Sequence, residues 1–243
     1  FCFRCHARTH GNNTTIHNQQ VSNVQLEGSA GRLQSRGISE RTCEQFKTYK
    51  DGQGLLRHYY FDSNGKVVGA KVRTKDKDFR CEGEVKTLFG MQNFRHKTTS
   101  KTSKLVITEG EMDAMSVWEA QPNWDVVSIP NGAPSAKKAF QNNYEWINYY
   151  DKVVIFFDND EAGQKAAKEA ASVLPPGKAF IGFLEDYKDA SEALQAGDSE
   201  AIRAVHNYDH LQYQPDGIVD AKTLLELVTT PSPPADHDYP FKG

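Results

Sequence analysis

Acidic side chains recur at three points of the sequence, each directly after a run of apolar residues. Converging carboxylates repel one another, so keeping several of them ionised side by side is costly unless a cation neutralises them. Magnesium binds a few carboxylate oxygens, keeps several waters and can organise an in-line displacement at phosphorus. The pattern therefore predicts magnesium-assisted chemistry on nucleotide phosphates. The acids are Glu109, Glu111, Asp158, Asp160, Asp186 and Asp189.

The elements that would position these acids alternate between strand and helix. Such alternation predicts a parallel sheet with helices on both faces, whose sites form at the carboxyl ends of the strands. Three acidic groups that follow strands of one parallel sheet share one edge of that sheet. The predicted strands are 104–108, 126–129, 152–157 and 179–184, and the predicted helices are 111–120, a helix through Ala166 and Leu174 that Gly177 ends, and 191–196.

Helix capping is the alternative explanation for these acids. Acidic side chains at a helix start accept backbone hydrogen bonds and complement the helix dipole without any metal. Capping accounts for any single pair, whereas Glu109-Gly110 followed by Asp158-x-Asp160 on successive strand ends favours a metal site. Gly110 and Gly163 agree with this interpretation, because the chain must turn sharply from strand to helix beside the ligand.

A basic hairpin precedes the acidic groups. Two β-branched and aromatic runs, 55–61 and 67–72, are joined through Asn64-Gly65, which supplies the positive φ of a tight hairpin. Alternate positions of a strand share one face, so a row of cations would follow a phosphate backbone. The alternative is a solvated edge strand whose lysines discourage aggregation. The cations are Lys71, Arg73, Lys75 and Lys77, with Lys137 and Lys138 as weaker candidates on a helix.

The acidic motifs resemble the Toprim domain that bacterial-type primases, topoisomerases and some nucleases share. The wider chain resembles the primase half of the bifunctional phage primase-helicases, to which mitochondrial Twinkle is related. The resemblance implies a Toprim-type α/β sheet preceded by a small mixed α/β subdomain. The motifs that carry it are Gly37-Ile38-Ser39, Lys71 to Phe79, Leu88-Phe89-Gly90, Thr108 to Asp113, Ser135 to Lys138, Phe157 to Gly163, Lys188-Asp189-Ala190 and Pro215-Asp216-Gly217.

The resemblance also implies roles for individual residues. Glu109, Asp158 and Asp189 would be the principal magnesium-coordinating and catalytic acids, and Asp160 would support them. Glu111 and Asp113 would have lesser roles nearby. The basic residues of the hairpin would contact nucleotide phosphates or the template, and these are Lys71, Arg73, Lys75 and Lys77.

Half of a zinc site lies at the start of the chain. Cys2 and Cys5 form one Cys-x-x-Cys pair, whereas a structural zinc ion requires four ligands. The resemblance implies an N-terminal zinc ribbon whose other pair lies upstream, so we expect Zn²⁺ only in the full-length protein. His6 and His10 could complete a site by themselves, and a redox pair is a further alternative.

We expect the chain to be a fragment, because it begins inside a motif and without an initiator Met. The predicted domains are a zinc-ribbon remnant and linker at 1–29, a subdomain with the basic hairpin at 30–100, the Toprim domain at 101–212 and a linker toward a helicase domain at 213–243. No phosphate-binding Gly-x-x-x-x-Gly-Lys-Ser/Thr loop occurs, so we expect no helicase activity from this chain. The predicted partners of the intact system are single-stranded DNA, ribonucleoside triphosphates, the replicative helicase domain and DNA polymerase.

Composition and charge are compatible with this hypothesis. The hydrophobic fraction of 38% and the charged fraction of 25% are typical of a globular protein, and no apolar run reaches the roughly 20 residues of a membrane span. We therefore expect no membrane partner and a cytoplasmic location, in the host cytoplasm if a phage encodes the protein. A net charge of -3 requires any nucleic-acid contact to come from local patches.

The sequence thus predicts a DNA primase core that makes short RNA primers during DNA replication. Two rivals remain. A Toprim nuclease or topoisomerase-like enzyme would use the same acids for cleavage, and a non-catalytic Toprim module would only bind DNA. Loss of one of the three principal acids would favour the non-catalytic module, and all three are present.

Overall fold

The computed structural model describes residues 24–74, 79–94, 103–205, 212–215 and 221–229. Within these ranges the chain forms two four-stranded sheets, one antiparallel and one parallel. The predicted zinc-ribbon remnant lies almost wholly outside the described residues. The predicted domain boundaries stay predictions.

The antiparallel sheet comes first along the chain. Its strands are β1 (Thr48–Lys50), β2 (Leu56–Phe61), β3 (Val67–Arg73) and β4 (Phe79–Gly83), in that spatial order. The predicted hairpin of β2 and β3 is confirmed, and Gly65 has the positive φ that its turn needs. Strand β4, which the sequence did not predict, pairs with β3 and forms an edge of the sheet.

A short helix precedes this sheet. Helix α1 (Glu40–Gln45) starts at Ser39, whose side chain accepts a hydrogen bond from the backbone N–H of Thr42. Ser39 is therefore the N-cap of α1. The neighbouring 3-10 turn Gln34–Arg36 ends at Gly37, which has the left-handed backbone that glycine adopts without strain.

The parallel sheet follows. Its strands are β5 (Lys104–Thr108), β6 (Asp125–Ser128), β7 (Lys152–Phe156) and β8 (Ala179–Gly182), in the spatial order β6-β5-β7-β8. All three neighbouring pairs are parallel, as the alternation of strands and helices predicts. Each strand of this sheet starts within one residue of its predicted start. Strands β6, β7 and β8 end one or two residues before their predicted ends.

Helices flank the parallel sheet in two groups. Helix α2 packs against α6 and α7, whereas α3 packs against α5. The α/β class with a parallel sheet and a smaller antiparallel subdomain is therefore confirmed. The helices are α2 (Glu111–Ala120), α3 (Ala136–Asn142), α4 (Tyr144–Asn148), α5 (Glu161–Ala171), α6 (Ala190–Gln195), α7 (Ser199–Ala204) and α8 (Ala221–Thr229).

One expectation about helices was wrong. Helix α5 ends at Ala171 and not at Gly177, because Pro175 and Pro176 exclude the residues before them from a helical backbone. Gly177 instead occupies a left-handed position in the turn to β8. Helix α8 lies within the segment 213–243, and the assignment of that segment as a linker stays a prediction.

The central strands of the parallel sheet form the middle of the main hydrophobic core. Val154, Ile155 and Ile107 are fully buried in it, as strands covered on both faces must be. A smaller core of Tyr49, Tyr59, Phe61 and Ala70 lies on one face of the antiparallel sheet. In the described parts of the chain, no helix has the length and apolar content needed to cross a bilayer.

Candidate active site

A cleft of about 250 Å³ lies between the two sheets and contains most of the predicted acids. Three of its lining residues follow the strands β5, β7 and β8, so the parallel topology brings distant parts of the sequence to one edge. The antiparallel sheet contributes Lys71 and Phe79 to the same lining. The full lining is Arg36, Lys71, Phe79, Glu109, Gly110, Glu111, Met112, Asp113, Gly132, Asp158, Asp189 and Ser191.

Glu109 is the acid that follows β5. Its Oε1 accepts a hydrogen bond from the backbone N–H of Ala133 at 3.1 Å. Its Oε2 is buried and makes no hydrogen bond within the described residues. Burial and the negative charge of Asp158 raise the pKa of Glu109. An uncompensated carboxylate oxygen of this kind is suited to a cation.

Asp113 belongs to the same group, although the sequence implies only a lesser role for it. It lies on the first turn of α2, and its Oδ1 accepts a hydrogen bond from the backbone N–H of Ser191 at 3.0 Å. Burial, followed by the negative charges of Asp189 and Asp158, raises the pKa of Asp113 well above its ordinary value. Asp113 is therefore a central member of the acidic cluster.

Lys188 offsets part of this negative charge. Its Nζ lies 3.3 Å from Oδ2 of Asp158 and 3.4 Å from Oδ2 of Asp160. Burial raises the pKa of Asp158, and the hydrogen bond and charge of Lys188 oppose that rise without cancelling it. Lys188 lies within the motif Lys188-Asp189-Ala190, from which no role for it was predicted.

Asp160 and Asp189 also cap helices. Oδ1 of Asp160 accepts from the backbone N–H of Gly163 at 2.8 Å at the start of α5, and Oδ1 of Asp189 accepts from Glu192 at 2.7 Å at the start of α6. The capping alternative is thus observed at both positions. Asp189 lines the cleft as well, whereas Asp160 is exposed and lies outside the lining. The bond to Gly163 lowers the pKa of Asp160.

The two glycines of the acidic motifs are needed for close approach. A Cβ on Gly163 would lie 2.3 Å from the backbone oxygen of Asp158, and one on Gly110 would lie 2.8 Å from Oδ2 of Asp113. Neither glycine has a positive φ, so packing explains them better than backbone freedom. A side chain at Gly163 would push α5 away from the loop that holds Asp158.

Glu111 has a different environment from the other acids. It is buried, and its Oε1 accepts hydrogen bonds from Nζ of Lys71 at 2.8 Å and from the hydroxyl of Tyr60. Burial raises the pKa of Glu111, but the charge and hydrogen bond of Lys71 outweigh it and lower the pKa overall. Lys71 also donates to the carbonyl oxygen of Pro130 at 3.1 Å. Glu111 therefore links Lys71 of the antiparallel sheet to helix α2, which packs on the parallel sheet.

The remaining predicted residues are less central or lie outside the described chain. Arg73 follows Lys71 on the same face of β3 but does not line the cleft. Lys137 and Lys138 are exposed on α3 and are not brought to the cleft. The positions outside the described residues are Cys2, Cys5, His6, His10, Lys75 and Lys77.

Sequence reasoning missed two lining residues with distinct chemistry. Arg36 precedes the Gly37-Ile38-Ser39 motif, and its guanidinium donates to Oγ of Ser191 at 3.3 Å. Phe79 is 51% exposed at the first position of β4. The motif beside Arg36 was a usable signal, whereas the exposure of Phe79 depends on tertiary packing.

Magnesium fits the residues of this cleft chemically. Across the described ranges no three Asp, Glu, His or Cys side chains converge closely enough to form a ready-made metal site. The buried, unbonded Oε2 of Glu109 and the raised pKa values of Glu109, Asp113 and Asp158 nevertheless mark a place where positive charge is favourable.

Two family models match the chain. One, described as "Toprim-like", covers residues 106–194, and the other, described as "Bacteriophage T7 DNA helicase/primase, N-terminal a+b fold", covers residues 28–83. The DNA helicase/primase of Enterobacteria phage T3 is 38% identical over 206 residues, which are 83% of this chain and 35% of that protein. The chain thus spans about a third of the length of this relative.

Two solved structures from bacteriophage T7 are similar. The primase fragment of the T7 primase-helicase has a TM-score of 0.64 and 36% identity, with 75% of this chain and 74% of that chain covered. A structure of the T7 lagging-strand DNA polymerase interacting with primase domains bound to an RNA/DNA hybrid and dTTP has a TM-score of 0.63 and 36% identity. In that match 74% of this chain and 90% of the other are covered.

Proposed function

Given that the chain belongs to the Toprim-domain DNA primases of the phage primase-helicase type, we propose that it joins ribonucleotides on a single-stranded DNA template. In the proposed reaction a 3′-hydroxyl attacks the α-phosphate of a ribonucleoside triphosphate, a new P–O bond forms and pyrophosphate leaves. The primase domains in the T7 structure are bound to an RNA/DNA hybrid, which supports this choice of substrate.

One observation carries the proposal. The cleft is lined by both carboxylates and cations. The carboxylates include Glu109, Asp113, Asp158 and Asp189, and the cations are Lys71 and Arg36. A magnesium-bound triphosphate needs both kinds of group. The acids would hold the metal ion, and the cations would neutralise phosphate oxygens. A site built only to cap helices has no need for the cations.

Each group has a proposed task. Glu109, Asp113, Asp158 and Asp189 hold Mg²⁺, with Asp160 in support, and Lys71 and Arg36 orient the phosphates. Magnesium, when bound, supplies positive charge that offsets the charge developing on the phosphate oxygens. Arg73, Lys75, Lys77, Lys137 and Lys138 are proposed contacts of the template backbone. Zn²⁺, with Cys2 and Cys5 among its ligands, a helicase domain and a DNA polymerase are proposed for the intact system.

The test is extension of a short RNA primer annealed to single-stranded DNA, with labelled ribonucleotides and Mg²⁺. An annealed primer removes the need for template-sequence recognition. We expect Asp158→Asn to lower extension by more than about 100-fold, since even groups that merely orient metal ligands are worth 10- to 100-fold. Glu169→Gln, which removes an exposed acid on α5, is the matched control and should leave extension unchanged.

The rivals predict other outcomes in the same assay. Full extension by Asp158→Asn would overturn the site assignment. DNA cleavage without extension would favour the nuclease or topoisomerase-like alternative. Binding of the primed template with neither reaction would favour the non-catalytic module.

A further inference from the structure

Phe79 is an aromatic side chain exposed at a polar cleft. Its exposed fraction is 51%, although burial of a Phe side chain is favourable. Among the exposed large apolar side chains of the described residues, Phe79 is the one that lines the cleft with the acids. Its position at the start of the edge strand β4 places the ring at the rim.

The sheet register surrounds the ring with positive charge. Phe79 lies directly opposite Arg73, and Lys71 is two residues away on the same face of β3. Nζ of Lys71 is 4.8 Å from the ring centroid and Cζ of Arg73 is 5.8 Å from it. Both distances are within the range of cation–π attraction, so the cations hold the ring in place.

The same face of the sheet also contacts the parallel-sheet region. Lys71 reaches Glu111, and Tyr60 bonds to the same carboxylate from β2. Glu111 thus contacts this face of the antiparallel sheet through Tyr60 and Lys71. The pair Arg73 and Phe79 lies two residues further along β3. The strand that pairs with β4 is thereby joined to Glu111, and Phe79 lines the same cleft as the acids.

We propose that Phe79 is a stacking platform for a nucleobase whose phosphates face Lys71 and Arg73. A nucleotide combines a flat π surface with adjacent negative charge, which matches an exposed ring between two cations. This inference rests on the proposed function and specifies how its substrates are held. The base belongs either to the incoming ribonucleotide or to the template strand, and the two sources are separable by experiment.

The test compares two variants of Phe79 with a control. Phe79→Leu removes the ring and keeps an apolar side chain, whereas Phe79→Trp keeps a stacking surface. Tyr149→Leu removes a 43% exposed aromatic side chain that follows α4 and does not line the cleft. Because both sites are exposed, we expect unchanged thermal unfolding midpoints for all three variants.

Equilibrium binding is measured with four probes in Mg²⁺: ATP, inorganic tripolyphosphate, a fluorescein-labelled single-stranded oligonucleotide, and the same oligonucleotide with abasic sites. Stacking contributes about 1–3 kcal/mol per base, so Phe79→Leu should weaken binding of ATP or of the intact oligonucleotide by roughly five-fold or more. The base-free probes should change less than about two-fold. Phe79→Trp and Tyr149→Leu should bind as the unaltered protein does.

A loss with ATP assigns the base to the incoming nucleotide, and a loss with the intact oligonucleotide assigns it to the template. Equal weakening of the base-free probes, no weakening at all, or no binding of either base-containing probe by the unaltered protein would each overturn the inference. Extension activity that survives Phe79→Leu with unchanged affinities rejects the platform and leaves the proposed function intact. Base-dependent binding without any extension rejects the proposed function alone.

Discussion

The two sheets place their charged groups in different ways. In the parallel sheet the central strands are apolar, and the acids lie in the loops that follow the strands, such as Glu109 and Asp158. In the antiparallel sheet the charges lie within the strands. Arg57 of β2 pairs with Asp51 at 3.0 Å and with Glu82 at 2.7 Å, and Lys71 projects from β3.

The difference follows from coverage. A parallel sheet with helices on both faces has no wet face, so polar function is confined to its edge. An antiparallel sheet can bury one face and keep polar groups on the other or at the ends of a face. The cleft forms where the acidic edge of the parallel sheet meets the basic face of the antiparallel sheet. Its negative and positive groups therefore come from two different sheets.

The joint between the two sheets contains buried polar groups. Lys71 and Glu111 form the ion pair across it, with side-chain exposures of 15% and 6%. His58, on the same face of β2, is buried, and its Nδ1 lies 3.0 Å from Oγ1 of Thr48. Two substitutions and one change of pH compare the contribution of these buried groups to stability with that of exposed charged groups.

Removal of Glu111 is expected to have the largest effect on stability. Glu111→Ala leaves the ammonium of Lys71 and the hydroxyl of Tyr60 without their shared acceptor, and breaking a buried pair costs about 3–5 kcal/mol. Chemical denaturation measures the free energy of unfolding. Glu84→Ala breaks the exposed pair with Lys86 and should cost less than about 1 kcal/mol. Equal costs for the two variants would contradict the assignment of Glu111 as the joint.

Acidification is expected to have an intermediate effect through His58. Burial lowers the pKa of His58 from 6.5 to about 4. As the pH falls below about 6.5, His58 becomes protonated in the unfolded chain but stays neutral in the folded protein. Its contribution to the free energy of unfolding is therefore fully present above pH 6.5 and is lost as the pH drops toward 4. Between pH 7 and pH 5 the contribution is about 2 kcal/mol, from roughly 1.4 kcal/mol per pH unit below 6.5.

The matched measurement is the same pair of denaturation curves for His58→Gln. This variant keeps all the other titrating groups, so the difference between the two proteins isolates His58. We expect the variant to lose about 2 kcal/mol less than the unaltered protein over that interval. Identical pH dependence of the two proteins would show that folding leaves the pKa of His58 unchanged and would contradict the lowered value.

Removal of Lys188 is expected to have the smallest effect on stability and to act on cation binding instead. Lys188 is 56% exposed, so Lys188→Met should change the free energy of unfolding by less than about 1 kcal/mol. Since its charge competes for Asp158 and Asp160, Mn²⁺ affinity measured by electron paramagnetic resonance should rise about two- to ten-fold. Lys168→Met on α5 is the control and should leave Mn²⁺ affinity unchanged. Weaker Mn²⁺ binding by Lys188→Met would contradict the role of Lys188 as a competitor of the metal.

Much of the fold was predictable because its signals are local. The apolar run before Glu109 predicts β5, and the predicted bounds of α2 agree with the observed ones. The end of α5 was mispredicted although Pro175-Pro176 was visible, because the apolar period continues through Val173 and Leu174. The short helix α4 has no comparable periodic signal and was not predicted, and for α3 only the placement of Lys137 and Lys138 on a helix was predicted.

The candidate site was predictable only in part. The order of motifs along the chain identified Glu109, Asp158 and Asp189, because a parallel sheet brings successive strand ends together. Asp113 was undervalued because its neighbours, Asp189 and Ser191, are far from it in sequence. Phe79 carried no local sign of exposure, since the exposure of a ring depends on what packs against it.

The sequence by itself determined which residues are acidic or basic, which runs become the strands of the parallel sheet, and that the acids follow those strands. These properties depend on composition and on neighbours a few positions away. Only the tertiary structure decided that Lys71 binds Glu111, that Arg36 reaches Ser191 and that Phe79 faces the acids. These features bring together parts of the chain that are far apart in sequence. Their geometry depends on how one packed surface lies against another, which no local pattern encodes.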